Sequence, residues 1–213
     1  MKENIIIIGA GGFGRELYEM LWDVFDQSTH EFKGFLAQDD ESLRDDGLES
    51  TWIGDPEEYQ PTDGDRFIMA IGYMDVRRHV YETLRQKGGQ FPPFVHPKAL
   101  VASTATIGAG AVIYPFATVS NGSVLKEDVH LNYYASAGHD CQLGNHCLLA
   151  PYSTLNGFVE LADEVYLATH ATVAPGKKIG YRSKLSSNTA AMQDVPENQI
   201  VFGVPGRQVK RLD

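Results

Sequence analysis

The sequence predicts two unlike domains: an α/β unit built on a short parallel sheet, then a three-sided parallel β-helix. Two observations carry this. From Val95 to Ala191 an aliphatic residue or Ala recurs every six positions, seventeen times without a miss. Before that run, "NIIIIGAGGFGRELYEML" reads as strand, glycine turn and helix. The boundaries follow: an α/β domain over 1–94, a β-helix over 95–198 and a basic tail over 199–213.

The first strand ends in Gly9, Gly11 and Gly14, which satisfy G-x-G-x-x-G. Some ninety residues leave room for one mononucleotide-binding half, not the two halves of a full dinucleotide fold. A second strand, "FKGFLAQDD", ends in Asp39 and Asp40. A third, "RFIMAIG", leads through Gly72 and Tyr73 into the helix "MDVRRHVYETLRQKG". The carboxyl ends of these strands form one rim, made of Gly9, Gly11, Gly12, Phe13 and Gly14 with Asp39, Asp40, Gly72 and Tyr73. Backbone N–H groups at the helix N-terminus suit phosphate, and an acidic residue suits a ribose or base. The rim is expected to bind a nucleotide. "FPPFVHP" is the hinge to the second domain.

In the β-helix each aliphatic residue points into a three-sided prism. Four residues later a small or β-branched residue, such as Ala117, Ala135, Cys141 or Cys147, fits beside a corner. Coils stack at roughly the 4.8 Å strand spacing. Lys177 is the one departure from the small-residue rule. Cys141 and Cys147 occupy successive inward positions, so they are core and not a disulfide or zinc pair. His139 and Asp140 are the third and fourth residues of their hexapeptide and point outward at a corner. His130, His146 and His170 are expected at the surface.

Composition narrows the function. The net charge is −10 over residues 1–94, −4 over 95–176 and +4 over 177–213. Duplex nucleic acid wants a broad basic face and is not the expected partner. The basic stretch, Lys177, Lys178, Arg182, Lys184, Arg207, Lys210 and Arg211, suits a small polyanion. No apolar run is long enough to span a membrane and no signal peptide is expected. Two cysteines make no disulfide framework. A cytoplasmic protein is expected.

Five motifs in order, "GAGGFGRE", "AIGYMDVRR", the hexapeptide repeat, "LNYYASAGHDC" and "VFGVPGR", resemble the sugar O-acyltransferase family that includes sialic-acid O-acetyltransferases. Within it the chain is most similar to N-acetyltransferases of nucleotide-linked 4-amino-4,6-dideoxy sugars, of the bacillosamine and perosamine type. The resemblance covers the whole chain. It implies a Rossmann-like domain that binds the sugar nucleotide, a left-handed β-helix, a homotrimer, and acetyl-CoA in clefts between subunits without a metal. It also implies surface-glycan or O-antigen biosynthesis as the setting. By the same resemblance His139 matches the catalytic histidine, Asp140 the acidic residue after it and Asn132 an active-site asparagine. Acetyl-CoA contacts are expected at Gly157, Thr169, Ala174 and Ser187, and the basic stretch offers Lys177 and Lys178 for its phosphates. The chain has Phe13 where the family often has His, and Asp140 where it often has Glu.

The chemistry expected is acyl transfer from a thioester to an amine, with neutral His139 as general base. Asp140 orients the ring, and Gly157, one 18-residue coil beyond His139, offers its N–H to the oxyanion. The main alternative is O-acetylation of a sialic-acid-type sugar with the same base. A zinc lyase built on His130, His139, His146 and His170 is disfavoured, because they do not share a corner position. A nicotinamide oxidoreductase, resting on the glycine loop, leaves the β-helix without a role.

Overall fold

In a computed structural model, which describes residues 2–44 and 46–210, the chain divides between Phe94 and Val95 into two compact units. The first holds a four-stranded, wholly parallel sheet. Its strands are β1 (Glu3–Ile8), β2 (His30–Leu36), β3 (Trp52–Gly54) and β4 (Asp65–Met69), in the order β3-β2-β1-β4. Ile5 to Ile8 are fully buried, as a central parallel strand covered on both faces requires. β3 is a strand beyond the three expected. It has three residues and no alternation to betray it.

The glycine loop joins β1 to helix α1 (Gly12–Glu19). Two glycines are structural. Gly9 has φ +105°, and a Cβ there would lie 2.8 Å from the Ala70 carbonyl oxygen. A Cβ on Gly14 would overlap the Gly9 carbonyl, so the missing side chain is what lets α1 pack on β1. Gly11, the N-cap, faces open space and has no side-chain cap of its own.

The second unit is a left-handed parallel β-helix. Two-residue strands on three faces, with two four-residue strands at the C-terminal end of one, form sheets of five, eight and six strands. From Leu100 to Ala191 the strand pairings join residues 18 apart, as in Ser136 with Thr154 and Gln142 with Glu160, and the last coil is two residues shorter, with Lys184 paired to Ile200. The aliphatic position fills the prism: Val119, Leu125, Leu131, Ala137 and Leu143 are at most 1 % exposed. Ala117, Ala135, Cys141 and Cys147 are fully buried beside them, while Lys177 is partly exposed.

The corners show a regularity the sequence does not announce. The fourth residue of most hexapeptides is left-handed although it carries a side chain: φ is +58° at Asp140, +61° at Phe158 and +59° at His146. Its N–H donates to the carbonyl of the third residue one coil earlier, as from Asp140 to Asn121 and from Phe158 to His139, each at 2.9 Å. The inter-coil bond offsets the strain of that backbone.

The segment expected as a basic tail is a strand pair as far as Lys210. Gln199–Phe202 extends the eight-stranded face beside Lys184–Leu185, and Arg207–Lys210 returns antiparallel. Arg211 and the two residues after it lie outside the described residues.

Candidate active site

His139 stands on the turn between strands Ser136–Ala137 and Gln142–Leu143. Its Nδ1 is 2.9 Å from Asp140 Oδ2. Asp140 thus holds the ring of its own chain's histidine. Nδ1–H donates to the carboxylate, which leaves the Nε2 lone pair free. About half of each side chain is exposed, so the pair is open to a substrate.

Two glycines make room for this pair. One coil before, a Cβ on Gly122 would collide with Asp140 Oδ1. One coil after, a Cβ on Gly157 would lie 2.5 Å from His139 Cε1 and closer still to Nε2. The imidazole therefore rests directly over the Gly157 backbone. Among the described residues the Gly157 N–H has no backbone acceptor, so this donor is available beside the free face of the base.

The turn is anchored from inside. Buried Ser123 donates from Oγ to the Gly138 carbonyl at 2.6 Å and accepts from the Cys141 N–H at 3.1 Å. Cys141 Sγ donates to the Asn156 carbonyl, and burial pushes its thiol pKa up. It is a structural thiol and not a nucleophile. Sequence reasoning saw Ser123 only as a small residue. It also missed Phe158, whose ring meets the imidazole edge to face at 4.9 Å and 90°.

The other expected contacts divide between corners. Gly157 and Ala174 lie along the His139 corner. Asn132, Thr169 and Ser187 lie along the preceding one, where Asn132 Oδ1 accepts from the Tyr133 N–H at 2.7 Å. Lys177 and Lys178 lead away from the His139 corner onto the five-stranded face. The Lys178 ammonium is already paired with Glu160 at 2.8 Å. A shallow groove of about 480 Å³ runs along that face past Gln142, Leu161, Lys178 and Pro196.

His130 and His146 correct the expectation of surface histidines. They are 2 % and 8 % exposed and flank Asp128, which is fully buried. Asp128 Oδ1 is 3.0 Å from His130 Nε2, and Oδ2 is 2.9 Å from His146 Nδ1. The side chains at the fourth positions of this corner, Asp128, His146 and Glu164, form a buried column, and Tyr181 donates to Glu164 at 2.9 Å. A charge buried this way must be paired, and here it is. His170 is exposed as expected and stacks on Tyr152. Among the described residues no three His, Cys, Asp or Glu side chains are arranged to hold a metal ion.

In the first unit a cleft of about 690 Å³ opens at the carboxyl ends of the strands. Gly9, Gly11, Asp39 and Tyr73 line it, together with Asp55, Asp75 and His79, which the sequence reading did not single out. Gly12, Phe13, Asp40 and Gly72 are not part of its wall, and Gly14 is a packing residue. Asp40 turns instead to Arg44, four residues on, at 2.6 Å. The unblocked N-terminus of α1 beside Gly11 is the feature that suits a phosphate.

A hexapeptide β-helix carrying an oriented histidine over an open backbone N–H is suited to acyl transfer. Residues 4–84 match the PglD N-terminal domain family. The GDP-perosamine N-acetyltransferase of Escherichia coli O157:H7 is 31 % identical over 150 residues, 68 % of either chain. The acetyltransferase domain of PglB from Neisseria gonorrhoeae FA1090, solved with acetyl coenzyme A, has a TM-score of 0.87 at 26 % identity, covering 98 % of this chain and 100 % of that one. PerB from Caulobacter crescentus, solved with CoA and GDP-perosamine, has a TM-score of 0.85 at 25 % identity over 97 % of each chain. The chain belongs to this family of hexapeptide-repeat sugar acyltransferases, in the branch of the perosamine and PglB N-acetyltransferases.

Proposed function

We propose that this enzyme transfers the acetyl group of acetyl-CoA to the amino group of a nucleotide-linked 4-amino-4,6-dideoxy sugar, with His139 as general base. The observation that carries the reading is the imidazole seated over Gly157 with Nδ1 held by Asp140. The relatives solved with CoA, acetyl-CoA and GDP-perosamine support the choice of substrates. The amine nitrogen attacks the thioester carbonyl carbon while Nε2 takes its proton. The Gly157 N–H meets the oxyanion that develops. The C–S bond then breaks, and the imidazolium returns the proton to the departing thiolate. A thioester is already activated, so no acyl-enzyme is needed. Such an enzyme acts in the cytoplasm, where both substrates are made, and supplies N-acetylated sugars for surface glycan or O-antigen assembly.

The test is to incubate the protein with acetyl-CoA and a panel of GDP-, UDP- and dTDP-linked 4-amino sugars and follow free thiol. Release that depends on one of these sugars is expected. No release with any of them would reject the reading.

Two features support a place for each substrate. The cleft of the first unit, with the open α1 N-terminus, is given to the sugar nucleotide. A Cβ on Gly11 meets nothing within 4 Å, so Gly11→Val should fold normally and crowd the phosphates. Its KM for the sugar nucleotide should rise about tenfold or more, with KM for acetyl-CoA unchanged. The reverse pattern would mean that the substrates are exchanged. Acetyl-CoA, in turn, is given contacts on two different corners of the prism. One subunit cannot bring those corners together, so the site is assembled between subunits of a homotrimer. Light scattering at micromolar concentration should give three times the chain mass, and a monomer with full activity would contradict this. On this assignment the groove past Lys178 leads the pantetheine arm toward the net-positive C-terminal coils. Lys177 is better placed than the paired Lys178 to meet phosphate.

A further inference from the structure

We propose that Phe158 is a positioning residue for His139, fixing the plane of the imidazole so that Nε2 stays aimed at the attacking amine. The inference rests on His139 being the base. The hydrogen bond to Asp140 holds the ring at one atom, Nδ1. A half-exposed ring held at one atom can still rock about it. The Gly157 backbone limits that motion from below. Phe158, the next residue, limits it from the side through an edge-to-face contact at 4.9 Å and 90°, the geometry that aromatic quadrupoles favour.

Packing of the prism core does not account for Phe158. It is 59 % exposed, so it contributes little to the core. Its φ of +61° is the left-handed conformation common to the fourth positions of the prism. The neighbouring corner shows the contrast. There Phe116, Tyr134, Tyr152 and His170 occupy the same fourth positions and stack nearly parallel, 4.8–5.1 Å apart. On the His139 corner the fourth positions are Gly122, Asp140, Phe158 and Gly176. No ring ladder exists there, and among the described residues the only ring that Phe158 meets is the imidazole. The strand register gives the reason the two meet. The Phe158 N–H donates to the His139 carbonyl at 2.9 Å, which ties the two residues together across successive coils.

Three variants test this by steady-state kinetics beside His139→Asn. Phe158→Asn suits the left-handed backbone, as Asn188 does at φ +55°, so its melting temperature should not fall. Its kcat should drop about three- to tenfold, the size of one edge-to-face contact, with KM for both substrates within twofold. Phe158→Leu, apolar but not aromatic, should remain slow. Phe158→Tyr should restore the rate, and the ring-current shift of the His139 protons by NMR should be lost in the Asn variant and kept in the Tyr variant. A wild-type kcat for Phe158→Asn, a raised KM at unchanged kcat, or a Tyr variant as slow as the Asn variant would each overturn the positioning role. If His139→Asn itself stays active, the base assignment fails and the inference falls with it. If that variant is inactive while Phe158→Asn is normal, only the inference fails.

Discussion

His139→Asn should lower kcat by about two to four orders of magnitude and leave both KM values nearly unchanged. The substitution removes the Nε2 lone pair without adding bulk, and the side chain is half exposed, so the β-helix should not feel the change. The core beneath it is carried by Ala137, Cys141 and Leu143. The amine then has to lose its proton to water, and the cleft of the first unit, proposed for the sugar nucleotide, is untouched. Initial rates by thiol release, with a thermal melt as control, are sufficient. Activity within threefold of wild type would remove His139 from the reaction.

Gly157→Ala is the second large effect, and it follows from the close approach of the imidazole together with the oxyanion role proposed for the Gly157 N–H. The added methyl would lie 2.5 Å from Cε1 of the imidazole, far inside contact distance. The ring is rigid and tied to Asp140, so it must swing out and weaken that bond. The methyl also crowds the approach to the Gly157 N–H. Losing one oxyanion donor costs about 10²–10³ in rate, so a drop of about a hundredfold or more in kcat is expected, with the melting temperature nearly unchanged. A variant that turns over at wild-type rate would show that the imidazole works elsewhere.

The β-helix was legible because its geometry is periodic. Once Val119, Ala137 and Leu155 are read as one face, the 18-residue coil places Gly157 beneath His139 by counting. The Asp140 contact was less legible, because adjacency in sequence does not say which way a left-handed residue turns. The same gap hid the Asp128 column. His130 and His146 look like surface residues by position, yet both are buried, each within hydrogen-bond distance of the buried Asp128 carboxylate. In the first unit the long apolar strands announced themselves. The three-residue β3 did not, and neither did cleft residues such as Asp55 and Asp75, which come from segments without periodicity. The local i,i+4 pair of Asp40 with Arg44 was likewise not read from the sequence.

The measurement that bears most directly on the account is the structure of the product. The enzyme would be given carbon-13-labelled acetyl-CoA and whichever nucleotide-linked amino sugar releases thiol. The account predicts one labelled acetyl group per CoA released, joined to the sugar nitrogen as an amide that survives mild alkali. The label should never be found on the protein itself, because the amine attacks the thioester directly. An alkali-labile ester on a sugar oxygen, or acetyl-enzyme trapped on acid quenching, would contradict it.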